Sequence, residues 1–281
     1  MGSRPGRSAA RENPELRFRA RSYAHPMLKT ERHARILEHV SARGGINVNE
    51  LSRLLNVSGA TVRRDLQQLS RLNLLRRTHG GAVVGSLGPE LPVQHRTDRC
   101  RPEKQAIAKA AVALVPEGAV VGMTGGTTVT EIARLLAARG PVTIVTNAVN
   151  IAAEMVLHKD VTLVVVGGYA RTASYELVGP IAEKTLADHH TDMTFLGVDG
   201  ISAAHGCTTH DQLEAATDRA FADSSSRTVV VADHSKIGKV TFAKICPLAD
   251  IDHLVTDGAA PADQLERIAD AGVPVTAVRP D

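Results

Sequence analysis

Ser58-Gly59-Ala60-Thr61-Val62-Arg63-Arg64-Asp65-Leu66 decides how the front of this chain folds. Ser58 suits a helix cap, because its hydroxyl accepts a hydrogen bond from a first-turn amide. Val62, Leu66 and Leu69 then fall on one face at about 3.6 residues per turn, and that face packs inward. The opposite face is thereby fixed. It carries Ala60, Arg63, Arg64 and Gln67, side chains that are small or able to form two-pronged hydrogen bonds, as contacts to base edges and phosphates require. Asp65 is expected to be structural, holding a neighbouring arginine or a backbone amide, since a carboxylate facing phosphates is repelled.

The flanks extend the pattern. Ile36, Leu37 and Val40, after Arg32 and Arg35, predict a first helix that Gly44-Gly45 stops. Asn47 stands three residues before Glu50, a cap pairing that opens a short second helix carrying Val48, Leu51, Leu54 and Leu55. With a turn at Asn56-Val57, the unit reads as a helix-turn-helix whose second helix contacts DNA. Leu74 to Val83 reads as a two-stranded wing with Gly80-Gly81 at or near its turn, bringing Arg76, Arg77 and His79 to the backbone or minor groove. Candidate DNA contacts are therefore Ser58, Ala60, Thr61, Arg63, Arg64, Gln67, Arg76, Arg77 and His79. An isolated arginine pair on a helix is usually a solvated surface. Three capped helices and a basic wing argue otherwise.

Charge is distributed accordingly. The whole chain of 281 residues carries a net charge of only +3. Residues 1–28 contribute +4, residues 29–85 contribute +6, and residues 86–281 contribute −7. Affinity for phosphate and its salt dependence thus belong to the head, and the acidic body shows no sign of touching nucleic acid. Residues 1–28, arginines among Ser, Pro and Ala, read as a disordered extension, and Met27 is an alternative start. Residues 86–102 read as a linker opening at Gly85-Ser86-Leu87-Gly88-Pro89.

No run is long and apolar enough for a membrane span, and the arginine-rich start lacks the apolar core of a secretory signal, so a cytoplasmic protein is expected. Cys100, Cys207 and Cys246 are odd in number and lack metal-ligand spacing, as do His189, His190 and Asp192. Reduced thiols, no metal and no cofactor are expected.

From residue 103 to the end, helical spacing alternates with apolar strands, at Val120–Met123, Val142–Val145, Val161–Val166, Met193–Val198 and Thr228–Val231. Such alternation predicts a mostly parallel α/β sheet covered on both faces. Aromatic residues make up only 2% of the chain, so its core must be aliphatic. Each strand ends in a polar loop. The first is followed by Thr124, Gly125, Gly126, Thr127 and Thr128, where glycines free backbone amides at a helix start for phosphate. Thr146-Asn147, Gly167-Gly168 with Arg171, Asp199-Gly200, and Asp233-His234-Ser235-Lys236 follow the others. Such loops share one edge of a parallel sheet, where ligands of open α/β sheets bind, and this inventory suits a sugar phosphate. A dinucleotide is disfavoured, since no Gly-x-Gly-x-x-Gly follows the first strand.

These residues together resemble DeoR-type regulators of sugar metabolism over nearly all of 29–281. In the head the likeness rests on Arg32, Ile36, Ser58, Thr61 and Val62 to Leu66. In the body it rests on Glu103-Lys104, Gly126-Thr127-Thr128, Thr146-Asn147, Gly167-Gly168 with Arg171, Leu177 to Pro180, Phe195 to Gly200, Thr208-Thr209, Ala232 to Lys236 and Asp252 to Asp257. The resemblance implies a winged helix-turn-helix joined to a sensor domain similar to ribose-5-phosphate isomerase. It also implies homo-oligomers, dimers or tetramers, on a double-stranded operator, and a phosphorylated sugar as effector. Many relatives carry an aspartate where this chain has Thr124.

The expected protein is a non-enzymatic repressor whose effector contacts are Gly125, Gly126, Thr127, Thr128, Thr146, Asn147, Gly167, Gly168, Arg171, Asp199, Gly200 and Lys236. The alternative is an isomerase-like enzyme with a DNA-binding head, because Asp199, Asp211, Glu214 and Asp233 offer carboxylate bases.

Overall fold

The computed structural model describes residues 27–43, 45–71, 75–78, 80–83, 90 and 92–280. The arginine-rich extension, most of the glycine-rich linker and His79 lie outside the described residues.

Three helices and three short strands build the head. Helix α1 spans Lys29–Arg43, strand β1 Gly45–Asn47, α2 Val48–Leu55 and α3 Gly59–Arg71, followed by β2 Arg76–Thr78 and β3 Gly81–Val83. Asn47 caps α2 by accepting the Glu50 amide at 2.8 Å, and Asn56 ends that helix in the left-handed conformation. Ile36, Leu37, Val40, Leu51, Leu55, Val62, Leu66 and Leu69 close a single core. Leu54, expected with the apolar face of α2, is instead 44% exposed, because the face turned to α1 and α3 is already filled by its neighbours. The wing also differs from expectation. Gly45 opens a third strand, and the sheet order is β1-β3-β2, all antiparallel.

The body follows through α4 Val93–Arg96 and α5 Arg101–Val112, so the stretch read as a linker carries one short helix and the start of another. Then come β4 Val120–Met123, α6 Thr127–Arg139, β5 Val142–Thr146, α7 Val149–Met155, β6 Val161–Val165, the hairpin β7 Tyr169–Arg171 and β8 Glu176–Val178, and α8 Pro180–Ala187. The chain continues through β9 Met193–Leu196, β10 Gly200–Ser202, β11 Gly206–Thr209, α9 Gln212–Asp223, β12 Thr228–Val231, β13 Ala243–Cys246, β14 His253–Asp257, α10 Ala262–Asp270 and β15 Val275–Val278.

Seven of these strands form one sheet in the order β15-β14-β12-β9-β4-β5-β6, with every neighbouring pair parallel. The five expected strands are present, two with the expected bounds and three differing by one or two residues at their ends. Gly197 and Val198 leave β9 for the turn, and β14 and β15 extend the sheet. Alternating residues serve opposite faces. Val121, Met123, Ile144, Phe195, Val229 and Val231 pack under α5, α6 and α7, while Leu196, Val230 and Leu254 share a cluster with Ile268 of α10, and Val145 one with Leu186 of α8 and Phe221 of α9. The strand order reverses between β4 and β9, since the chain winds outward from β4 through β5 to β6 and returns to β9 for the other half. A crevice at the carboxyl ends of such strands is where open α/β sheets take ligands.

Candidate functional sites: the reader helix and an inward-facing cavity

In the head, Ser58 Oγ accepts the Thr61 amide at 3.1 Å and meets the Thr61 hydroxyl at 2.9 Å, so both residues form the cap of α3. Ala60, Arg63, Arg64 and Gln67 are exposed on the helix face away from the core. Arg77 is exposed on β2, and Arg76 lies one residue before it on the same strand. Asp65 points inward. Its carboxylate accepts from Arg32 Nε at 2.6 Å, Arg32 Nη2 at 3.1 Å and His33 Nε2 at 3.1 Å. Burial pushes that carboxyl up, but the Arg32 and His33 hydrogen bonds prevail and hold it below its ordinary value. The acid therefore ties the reader helix to α1, leaving the arginine face without a competing anion of its own.

In the body, a cavity of about 560 Å³ opens at the β4/β9 reversal, within the usual size range of small-ligand sites. The loop after β4 supplies Gly125, Gly126, Thr127 and Thr128. Gly126 adopts φ +118° at the start of α6 and no side chain caps this helix, so its first-turn amides are available at the cavity wall. A side chain at Gly125 would come within 2.5 Å of Glu176, whose carboxylate accepts the Gly125 amide at 2.7 Å. The loop after β9 supplies Asp199, and that after β12 supplies Asp233, Ser235 and Lys236. These are the carboxyl ends of adjacent parallel strands, gathered as the sheet requires.

The remaining expected positions lie behind this wall. Thr146 donates to the Met123 carbonyl at 2.7 Å and accepts the Ala148 amide at 3.0 Å. Asn147 is fully buried, with its amide group 3.4 Å from Glu176. Gly167 and Gly168 turn the chain into the β7–β8 hairpin, and Gly200 opens β10. Arg171 bonds Glu90 and sits 2.7 Å from Glu214 and 3.4 Å from Asp211. It braces the acids beneath the cavity instead of lining it.

Sequence reasoning missed most of the charged lining. Arg96 and Arg99 come from the stretch assigned to a linker, Lys104 from α5, and His210 and Lys239 from later loops. Opposite them stand Glu176, Glu214 and Asp218, of which Glu214 and Asp218 share one face of α9.

The cations are held in check by acids. Asp199 Oδ1 accepts from Arg96 at 2.8 Å and from Lys236 at 2.7 Å. Burial raises the Asp199 carboxyl, but Lys236, Arg96 and His210 outweigh it and leave the group well below the carboxylate range. Burial pushes Lys104 down to about 8, despite Asp233. Burial and the neighbouring Glu214 hold Glu176 well above its ordinary value, and burial with Glu176 does the same for Asp218. Cys100, Asp233 and His234 bring ligand-type atoms within 4.8 Å of one another. Asp233 already faces Lys104 and Lys236, and His234 is bound to Asp257 at 2.9 Å, so a dication would meet cationic neighbours there. Among the described residues, no helix is long and apolar enough to cross a membrane.

A winged helix-turn-helix ahead of a doubly wound sheet with a polar crevice defines a two-part protein with a DNA-binding head. Residues 32–86 match the DeoR-like helix-turn-helix domain, and residues 99–258 match the DeoR C terminal sensor domain. The chain belongs to the DeoR family of transcriptional regulators. It is 38% identical to the HTH-type transcriptional regulator GlpR of Haloferax volcanii, over 89% of this chain and 98% of that protein. It is 30% identical to the glycerol-3-phosphate regulon repressor of Escherichia coli K12, over 87% of this chain and 97% of the relative. A ribose 5-phosphate isomerase A from Neisseria gonorrhoeae is similar over 50% of this chain and 54% of that one, at 19% identity and TM-score 0.36. That last likeness has no bearing on activity.

Proposed function

We propose that the protein represses genes of sugar metabolism and that a phosphorylated sugar, bound in the body's cavity, changes how the heads of a homo-oligomer meet a double-stranded operator. The observation carrying this reading is the juxtaposition at one cavity of the Gly125–Thr128 loop and the cationic side chains Arg96, Arg99, Lys104, Lys236 and Lys239. An anion at the start of α6 gains from free amides and from the helix dipole. Gly125, Gly126, Thr127 and Thr128 hold the phosphate, and Asp199 takes sugar hydroxyls. Lys236 and Lys104 balance charge, while Thr146, Asn147, Gly167, Gly168, Arg171 and Gly200 shape the wall from behind. Arg63, Arg64 and Gln67 read bases, and Ser58, Thr61, Arg76 and Arg77 position the helix and wing on the backbone. Relatives named as a regulator and as a repressor of a glycerol-3-phosphate regulon support the assignment.

A sensor also explains the carboxylates better than an isomerase does. Asp211 caps α9 through the Leu213 and Glu214 amides, Asp199 carries two cations, and Glu214 is bound to Arg171. Each acid offered as a base is thus already engaged by protein groups, with Asp233 accepting the Ser235 amide at 3.0 Å.

Thermal melting of the full chain with glycerol 3-phosphate, hexose 6-phosphates and their unphosphorylated counterparts tests the proposal. A rise in melting temperature with a phosphorylated member, absent with its neutral partner, is expected. Retention of duplex affinity when that compound is saturating would refute effector control. Exchange of sugar C–H protons in heavy water would establish an enzyme instead.

A further inference from the structure

Helix α4 touches both functional sites. Its last residue, Arg96, lines the cavity and pairs with Asp199 at 2.8 Å. The residue before it, His95, is buried with its ring 6.0 Å from the ring of His33 on α1, tilted by 53°. His33 in turn donates to Asp65, the carboxylate on the inner side of the reader helix, and Arg32 completes that junction from the adjacent position. A path of direct contacts therefore runs from Asp199 through Arg96 and His95 to His33, Asp65 and the helix bearing Arg63 and Arg64.

The seating of α4 makes the path mechanical. Lys104 Nζ donates to the Arg96 carbonyl at 2.6 Å, and the Val93 amide donates to the Ala173 carbonyl at 2.9 Å. Residue 173 lies in the turn of the hairpin that also carries Ser174 and Glu176 to the cavity. Both ends of α4 are thus bonded to elements that form the cavity, while its middle presses on the head. Its four residues form a single turn, so Arg96 and His95 lie on one short backbone segment bonded at both ends. An anion that draws the Lys104 ammonium off the Arg96 carbonyl releases the backbone of α4 beside His95.

We infer that His95 is the positioning residue through which the cavity's state reaches the reader helix, and that its contact with His33 carries the coupling. The ligand class rests on the reading above, but the contact itself does not. A ligand controls DNA affinity only if the two sites share an element with distinguishable arrangements, and α4 is built into both.

A double-mutant cycle tests this without any ligand. Asp199→Asn releases Arg96 inside the cavity, and affinity of the full chain for a duplex taken from upstream of its own gene is read by fluorescence anisotropy at fixed salt. In the otherwise unaltered protein the substitution is expected to change the dissociation constant at least fivefold. In the His95→Ala background the same substitution is expected to change it less than twofold. His33→Gln removes the ring from the other side of the contact but can keep a donor for Asp65, and gives the same collapse. An equal response to Asp199→Asn in all three backgrounds, or no response in any, overturns the inference. A melting shift with glycerol 3-phosphate that survives His95→Ala while the duplex response disappears supports it. Absence of any sugar-phosphate shift would count against the proposed ligand and leave the cycle to decide the contact.

Discussion

The reader face and the cavity use the same cationic side chains in opposite ways. On α3, Arg63 and Arg64 stand exposed, and the nearest acid in sequence, Asp65, is turned inward to Arg32 and His33. In the cavity, Arg96 and Lys236 converge on the buried Asp199. Exposed guanidinium groups can meet a polyanion by shedding counterions, without breaking an internal bond. The cavity cations cannot, because breaking their pairs leaves the buried Asp199 carboxylate uncompensated. The head is therefore ready to bind, whereas the cavity must exchange one set of partners for another. Such exchange is what a switch needs, since a ligand shifts an equilibrium only through contacts that differ between its states.

The comparison can be broken first at Asp65. Asp65→Ala leaves the half-buried Arg32 and the buried His33 without their acceptor, and the head is expected to lose about 1–3 kcal/mol, the usual effect of stranding such groups. Loss of duplex binding together with an early melting step confined to the head would be observed. A variant that melts like the parent would show that the junction contributes little.

The next effect belongs to the exposed face. Arg63→Ala or Arg64→Ala is expected to weaken operator binding by about 1–3 kcal/mol where the side chain contacts a base edge, with the fold intact. Salt titration separates the roles. A base-reading arginine gives a loss that depends on operator sequence, while a phosphate-contacting one weakens all duplexes alike and flattens the salt slope.

The most discriminating effect concerns Lys104, whose ammonium is held down to about 8 by burial, against an ordinary 10.5. Between those values the unfolded chain keeps a proton that the folded chain has released, so stability contributed by this group rises with pH across that window and is flat below it. Affinity for a phosphorylated ligand runs the other way, falling by up to about tenfold per pH unit above 8 as the cation is lost. Melting curves with and without ligand from pH 7 to 10 in about half-unit steps would reveal the opposed trends. Lys104→Met abolishes both while leaving the head's salt dependence unchanged.

How much of this was legible beforehand follows from the range of the interactions. Ser58, Val62, Leu66 and Leu69 specify a capped amphipathic helix from local spacing alone, and the side left over must carry Arg63, Arg64 and Gln67. The alternation of apolar strands with helices likewise specified a parallel sheet and the loops at its carboxyl edge. Leu54 eluded this reasoning because whether an apolar position is covered depends on a second helix. Gly45 did so because β1 is three residues long and exists only through its pairing with β3. Arg96 and Arg99 sit in a stretch that looks like a connector, since the helix ending at Arg96 has four residues, too few to display a period, and Arg99 lies in the turn after it.

The amino-acid order alone determined which face of α3 meets solvent, where negative and positive charge concentrate, and which loops carry glycine beside hydroxyl groups, because each of these depends on neighbours within a few residues. Only the tertiary structure decided that Arg96, Lys104, Glu176 and Asp218 converge on one cavity while Asn147 and Arg171 stand behind it. Those residues are brought together by the placement of β4 beside β9, a pairing of strands about seventy residues apart in sequence, and strand pairing at that separation is fixed by the packing of the whole sheet, not by any short pattern along the chain.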